Sequence, residues 1–171
     1  MPRAYRFTQG EPALLNMSKH KKDTAHIAKP SVAHESDSSV SGVRFCEGQM
    51  LVEVLRQITQ DGTEWASRYV TLCFADPVNG WVSLYPSESS AAPYFDFMYE
   101  ASEPPQKMLA ALLEQYPQCS VIDWSRGRLA CLEAPGVSVD SLAAIIQQVA
   151  SLVWGERSQL VDGWYREMDM A

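Results

Sequence analysis

The chain has 171 residues, of which 46% are hydrophobic and 20% are charged, and its formal net charge is −7. The charge is unevenly divided: residues 1–42 contain six basic and four acidic residues, whereas residues 43–171 contain eight basic and seventeen acidic residues. All three histidines fall in the first segment and all five tryptophans in the second. This division excludes a basic nucleic-acid-binding core, a histidine-based catalytic centre in that core and a disulfide-dense secreted scaffold.

The first 42 residues are predicted to form a disordered, mildly basic tail. Their second part, MSKHKKDTAHIAKPSVAHESDSSVSG, is rich in Ser, Lys, His and Ala and nearly free of large apolar side chains. Such a segment buries too little surface to offset the entropy lost on ordering it. We therefore expect a tail at 1–42 and a single acidic domain at 43–171, which ends in an amphipathic C-terminal arm at 156–171.

The cysteine pattern favours reduced thiols and a cytoplasmic protein. Cys46, Cys73, Cys119 and Cys131 are widely spaced, form no C-x-x-C pair and lie beside apolar residues, as buried free thiols do. No apolar run approaches the ~20 residues that a membrane-spanning helix needs, so no membrane association is expected.

Hydrophobic periodicity predicts a helix followed by three strands in the first half of the domain. A helix over Glu47–Gln60 is indicated by apolar residues at helical spacing, Leu51, Val54, Leu55 and Ile58. Trp65–Phe74 and Trp81–Tyr85 alternate with period two and are joined by the turn residues DPVNG, which predicts a hairpin. A third strand at Tyr94–Tyr99 separates two sets of side chains: Phe95, Phe97 and Tyr99 on one face and Tyr94, Asp96 and Met98 on the other.

The second half begins with a predicted helix that Ser102 caps and Pro117 ends, with Pro104 and Pro105 in its first turn. Its predicted apolar face consists of Met108, Leu109, Leu112, Leu113 and Tyr116. Two strands follow, at Cys119–Trp124 and Arg128–Glu133, and the SRG turn between them predicts a second hairpin.

The last predicted helix begins after Ser138, an effective N-cap residue, and reaches Gly155. A second apolar stripe follows, which either continues this helix beyond a kink or forms a separate arm: Leu160, Val161, Trp164, Tyr165 and Met168. The element order α-β-β-β-α-β-β-α predicts an α+β domain with an antiparallel sheet, because strands and helices do not alternate singly.

The residues that usually carry catalysis are scarce in the domain. It has no histidine, a single lysine (Lys107) and no phosphate-binding glycine loop, and the cysteine spacing does not suit zinc. We therefore expect no catalytic residues, no cofactor and no metal, although a pair of carboxylates brought together by the fold is an open alternative for an enzyme. The acidic balance opposes nucleic-acid binding and favours basic protein partners.

The aromatic residues are the best signal of partner binding. The C-terminal stretch carries more apolar surface than one helix face buries on a small sheet, and tryptophan, tyrosine and methionine are enriched at protein interfaces. The alternative is that this arm packs on its own sheet. A second candidate surface is a sheet face holding Trp81, Tyr85, Phe95 and Phe97. The predicted partner-binding residues are Trp154, Leu160, Val161, Trp164, Tyr165, Met168, Trp81 and Tyr85.

The predicted order resembles that of the class I type III secretion chaperones and the related YbjN-like bacterial proteins. The resemblance covers about residues 45–154 and is clearest in Cys119–Trp154: a strand, a turn with glycine, a strand, a loop and a helix with a serine cap. It implies a small cytoplasmic bacterial protein, usually a homodimer, that binds an unfolded segment of a secreted client along apolar patches and has no catalytic site. The leading 42 residues and the aromatic C-terminal arm depart from this pattern.

Three hypotheses of function follow. The first is a non-catalytic, chaperone-like protein-binding module that recognises a client through apolar patches on an acidic domain. The second is an immunity or antitoxin-type protein that neutralises a basic toxin. The third is an enzyme built on carboxylates.

Overall fold

A computed structural model describes residues 42–60, 64–74, 80–85 and 93–168. The predicted tail, apart from Gly42, lies outside these residues, as do most of the predicted DPVNG turn and the end of the C-terminal arm. Among the described residues, no helix is both long enough and apolar enough to cross a membrane.

The domain is α+β and its sheet is antiparallel, as predicted. Its elements in chain order are β1 (Val43–Met50), α1 (Leu51–Gln60), β2 (Arg68–Phe74), β3 (Trp81–Leu84), β4 (Tyr94–Tyr99), α2 (Pro105–Met108), α3 (Ala110–Gln115), β5 (Ser120–Ser125), β6 (Arg128–Glu133), α4 (Val139–Trp154) and β7 (Leu160–Glu167). The described strands form one seven-stranded sheet in the order β1-β7-β2-β3-β4-β6-β5. Every neighbouring pair runs antiparallel.

The hydrophobic core lies between the helices and one face of the sheet. Alternate residues of the strands point into this core, and the registers place them directly opposite one another, as Leu72 is opposite Val82 and Phe95 is opposite Leu132. The apolar faces of α1 and α4 cover them, and Leu55 and Ile146 are fully buried there. The domain is therefore a helix layer on one side of a sheet.

Helix α4 forms as its sequence predicts. The Ser138 side chain accepts a hydrogen bond from the backbone N–H of Ser141, and Gly155 ends the helix in the left-handed conformation at φ 72°. Local capping signals and a regular apolar stripe agree here, and the predicted core positions Leu142, Ile145 and Val149 are buried.

The predicted helix over Glu47–Gln60 is wrong at its start. Residues Val43–Met50 form strand β1, which passes directly into α1 at Leu51. Most β1 side chains are exposed and its pairing with β7 is irregular, so the strand has no regular alternation for a sequence to display. Leu51, Val54, Leu55 and Ile58, the predicted apolar stripe, are nevertheless all buried.

The alternative in which the second apolar stripe continues α4 as a kinked helix is wrong, and the predicted arm at 156–171 packs on its own sheet instead. Leu160–Glu167 is strand β7, which lies between β1 and β2 in the sheet. Gly163 allows the close packing that this position requires, because a Cβ there would lie 2.6 Å from the Sγ of Cys46. Arg68 joins β2 to β7 by donating to Glu167 over 2.9 Å and by lying over the ring of Tyr165 at 4.3 Å. The C-terminal residues thus complete the sheet.

The turn between α4 and β7 contains a buried carboxylate, Glu156, which is 4% exposed. Its Oε1 accepts hydrogen bonds from the backbone N–H groups of Arg157 and Ser158, at 2.7 and 2.6 Å. These bonds satisfy the buried oxygen and fix the direction in which the chain enters β7.

The predicted helix after Ser102 consists of two short helices, α2 and α3. Ser102 is not the N-cap: α2 follows Pro104, which provides no side-chain cap, and begins at Pro105. Leu109 separates the two helices and is completely buried, while Met108 is 40% exposed. The corrected element order is β-α-β-β-β-α-α-β-β-α-β.

Candidate functional site

The face of the sheet turned away from the core is the candidate functional site, and we call it the open face. Because side chains alternate along a strand, each strand contributes the residues between its core positions. Among the described residues, none of the helices packs on this face, and its apolar side chains are not part of the core cluster. Its central residues are Asp162, Trp164 and Arg166 on β7; Tyr69, Thr71 and Cys73 on β2; Trp81, Ser83 and Tyr85 at β3; Tyr94, Asp96 and Met98 on β4; and Leu129, Cys131 and Glu133 on β6.

Three tyrosines form a row across the middle of the open face. The rings of Tyr69 and Tyr85 have centroids 5.2 Å apart, and those of Tyr85 and Tyr94 stack at 5.1 Å with 24° between their planes. The hydroxyl of Tyr69 donates to Ser83 at 3.0 Å, and that of Tyr85 donates to the Oδ2 of Asp96 at 3.1 Å. The row is therefore held in place by contacts within the face.

A polar strip runs beside the tyrosine row. Ser83 is 1% exposed, and its hydroxyl also lies 3.3 Å from the hydroxyl of Thr71. Together with Tyr69, Cys73 and Trp81 these residues line a shallow recess of about 190 Å³. The recess has room for one side chain of a bound protein but is small for a drug-sized ligand.

The cysteines of the domain are free and are held in the protonated form. Burial and the charge of Asp162 raise the pKa of both Cys46 and Cys73 to about 11. Burial also raises the pKa of Cys119, and burial with a hydrogen bond to Asp96 raises that of Cys131. Because the thiolate is the nucleophile, none of these environments activates a cysteine for attack.

The hydroxyl of Tyr85, which donates to Asp96, is likewise held protonated. Burial, followed by the charge of Asp96, raises the pKa of Tyr85. Within the part of the chain that the structure describes, no group of three or more His, Cys, Asp or Glu side chains is arranged to hold a metal ion.

Charged residues lie at both ends of the open face. At the β1 end, Arg44 forms ion pairs with Asp162 at 2.9 Å and with Glu47 at 3.1 Å, and its guanidinium lies 5.4 Å from the ring centroid of Trp164. Acidic side chains cluster towards the β5 end: Asp96 is opposite Cys131, which is in turn opposite Asp123, and Glu133 lies two residues further along β6. The face is thus aromatic in its centre and acidic towards β5.

The structure divides the predicted partner-binding residues between the two faces of the sheet. Trp81, Tyr85 and Trp164 lie on the open face, and Leu160 is 42% exposed at the start of β7. Val161 is completely buried, so its prediction as a contact residue is not retained.

The other predicted residues at this end of the chain have contacts within the domain. Trp154 packs against Phe74 with ring centroids 5.8 Å apart, and its Nε1 donates to the carbonyl of Met98 at 3.0 Å. Tyr165 contacts the ring of Trp65 at 5.7 Å. The backbone N–H of Met168 donates to the carbonyl of Ser67 at 2.7 Å.

The predicted second surface combined residues from opposite faces of the sheet. Phe95 and Phe97 are fully buried against the helices, whereas Trp81 and Tyr85 lie on the open face. Tyr69 and Tyr94 were missed as candidate contact residues. The available signal was that each tyrosine is adjacent to a core residue, Val70 or Phe95, because successive side chains of a strand point to opposite faces.

The comparisons with known proteins identify no relative: no protein-family model, no curated protein and no solved structure matches the chain. The geometry and chemistry of the open face are therefore the basis on which a function can be proposed.

Proposed function

We propose that this protein is a non-catalytic protein-binding module that takes up a protein partner on the open face. The observation that carries the proposal is the set of large aromatic rings across the centre of this face, where none of the described helices covers the sheet. One of these rings is exposed and the other four are half-buried at the surface of the sheet. Apolar clusters that reach the surface mark interaction sites, and tyrosine and tryptophan are the side chains that contribute most to protein interfaces. The rings are those of Tyr69, Trp81, Tyr85, Tyr94 and Trp164.

The arrangement of these rings suits binding in a second respect. The hydroxyls of Tyr69 and Tyr85 have partners within the face, and the stacked rings restrain one another. A restrained surface loses little side-chain entropy when a partner binds, which leaves more of the contact energy for affinity. The shallow recess beside Trp81 offers a place for one apolar side chain of the partner.

The narrower proposal is a cytoplasmic chaperone of the type III secretion class, whose partner is an unfolded segment of a secreted client. Two observations support it. The family resemblance rests on the order helix, three strands, helix, two strands, helix. The observed domain contains this order from α1 to α4, with the middle helix divided into α2 and α3. The four cysteines are free, as is usual for proteins of a reducing compartment.

The acidic end of the open face supports a second candidate, an immunity protein that neutralises a basic toxin. Asp96, Asp123 and Glu133 lie close together in the sheet register, and such a patch accelerates encounter with a basic partner. The two candidates differ in their dependence on salt. Added salt should have little effect on the affinity for a client that is held on the aromatic rings. For a basic toxin, added salt should slow association and weaken binding, because it screens the attraction between opposite charges.

The proposal is tested by placing a photo-crosslinking benzoylphenylalanine at Tyr94, which is 39% exposed on the open face. The matched control carries the same residue at Leu152, which is 42% exposed on α4. Irradiation in cells should give adducts with a discrete partner from position 94 and none of these adducts from position 152. Equal labelling of the same proteins from both positions would contradict the proposal.

The partner identified in this way is then purified and its affinity measured by calorimetry. We expect Trp164→Ala and Tyr94→Ala to weaken binding by about tenfold or more each, as truncations of central aromatic contacts do. Leu152→Ala serves as the control and should leave the affinity unchanged.

A further inference from the structure

One row of side chains on the open face carries opposite charges at its two ends, at equal distances from its centre. Arg166 on β7 is opposite Tyr69 on β2, and Glu133 on β6 is opposite Tyr94 on β4. Tyr85 lies between the two tyrosines, within 5.2 Å of one ring and 5.1 Å of the other. The row therefore reads Arg, Tyr, Tyr, Tyr, Glu across the five adjacent strands β7-β2-β3-β4-β6.

This row is self-complementary about its central strand. The arginine lies two strands to one side of β3 and the glutamate lies two strands to the other. In a two-fold symmetric interface, if a residue contacts a second residue of the other copy, the reverse contact also forms. An axis roughly parallel to β3 places Arg166 opposite Glu133 of the other copy, twice, and sets the tyrosine rows against each other. An axis perpendicular to the strands would instead set like charges together.

We propose that a second copy of this chain packs on the open face, related by a two-fold axis that runs roughly parallel to β3. This inference rests on the proposed function in one respect, since it assigns an occupant to the same protein-binding face. Another protein that binds at the tyrosine row has to compete with this self-association.

The size of the face is compatible with such a dimer. Seven strands about 4.8 Å apart and about 20 Å long give roughly 600–700 Å² of flat area, before the relief of the side chains is counted. A standard specific interface buries about 800 Å² on each partner. Two sheets pack face to face about 10 Å apart, which is a separation that an arginine and a glutamate side chain span together.

The test is the oligomeric state of the full 171-residue chain by sedimentation velocity over a wide concentration range. We expect a dimer for the native chain and at least about tenfold weaker association for Arg166→Glu and for Glu133→Arg, because each reversal sets like charges together twice. Glu114→Arg is the matched control, because Glu114 is exposed on α3 in the helix layer. It should associate as the native chain does.

The decisive step is to mix the two reversed variants. In the mixed pair both contacts are again between opposite charges, so an equimolar mixture of Arg166→Glu and Glu133→Arg should form a heterodimer at concentrations where each variant alone is monomeric. A native chain that is monomeric throughout would overturn the proposal. So would reversed variants that still dimerise, or a mixture that stays monomeric.

The crosslinking experiment and the measurement of oligomeric state distinguish a failure of the proposed function from a failure of the proposed dimer. Adducts from Tyr94 with a different protein, combined with a monomeric native chain, would refute the second copy and leave protein binding in place. A dimer that loses association on charge reversal, combined with no foreign adduct, would support the second copy and refute the external partner.

Discussion

Trp154 and Trp164 were both predicted to contact a partner, and the structure gives them different roles that mutation separates. The Trp154 indole packs on Phe74 and above Gly80, and it donates a hydrogen bond to the carbonyl of Met98. Trp164 lies on the open face, where the guanidinium of Arg44 covers its ring at 5.4 Å. We expect Trp154→Ala to destabilise the fold and Trp164→Ala to weaken binding.

The magnitude for Trp154 follows from its surroundings. Removing about 150 Å² of buried aromatic surface at about 25 cal/mol per Å² costs about 4 kcal/mol, and the lost hydrogen bond adds about 1 kcal/mol. Trp→Ala changes in protein cores cost about 3–5 kcal/mol, which agrees with this value. Trp154→Phe keeps one aromatic ring but loses the donor and part of the ring contacts, so it should cost about 2–3 kcal/mol, less than the alanine variant. For Trp164→Ala we expect about 1 kcal/mol, chiefly the cation–π contact.

Urea unfolding followed by far-UV circular dichroism measures these losses, because the signal does not depend on the tryptophan that is removed. The urea concentration at the midpoint should be highest for Trp164→Ala, lower for Trp154→Phe and lowest for Trp154→Ala. The dependence of the unfolding free energy on urea should be the same in all three variants. Equal losses below about 1 kcal/mol for both alanine variants would refute the assignment of Trp154 to the internal packing of the domain.

Three further predictions concern the sheet, a helix cap and a thiol. Gly163→Ala should destabilise by about 1–3 kcal/mol and lower the melting temperature in calorimetry, because its Cβ meets the Sγ of Cys46; a raised melting temperature would contradict the packing of β7. Ser138→Ala should cost about 1 kcal/mol in urea unfolding, whereas Ser138→Asp, which keeps an acceptor at the N-cap, should not; equal losses would show that the cap contributes little. Alkylation of Cys73, followed by peptide mass spectrometry, should be about a hundredfold slower at pH 8 than for a thiol of pKa 9.0 and should accelerate up to about pH 11, since only the thiolate reacts. A rate that is already at its plateau at pH 8 would contradict the raised pKa.

Elements with local signals were predictable from the sequence. Helix α4 has a serine cap, a regular apolar stripe and a C-terminal glycine, all within residues 138–155, and it forms as predicted. The hairpin of β5 and β6 has its turn glycine, Gly127, at φ 69°. In these cases the residues that determine the conformation lie next to one another in the chain.

The strands at the two ends of the domain were not predictable in the same way. Val43 pairs with Tyr165, so the partner of β1 lies more than a hundred residues away along the chain. In β7 the apolar residues Leu160, Val161, Trp164 and Tyr165 fit a helical stripe as well as a strand. The pairing with β1 and β2 decides in favour of the strand, and a single sequence does not display that pairing.

The candidate site shows the same limit. The aromatic residues of the domain predicted two separate surfaces, one with Trp164 and one with Trp81 and Tyr85, whereas the structure places all three on the open face. The sequence signal also did not separate these residues from Val161 and Trp154, which pack within the domain. Which face of each strand is covered depends on where α1 and α4 pack, and that is a property of the whole fold.

Oxidative footprinting of the purified protein tests most directly whether the open face is the interaction surface. Hydroxyl radicals label exposed tyrosine, tryptophan and methionine side chains, and mass spectrometry reads each site. On association, with a second copy or with a partner, labelling of Tyr94 and Trp164 should fall severalfold while labelling of Met108, which is 40% exposed in the helix layer, stays constant. Protection of Met108 with unchanged labelling of Tyr94 and Trp164 would contradict the account.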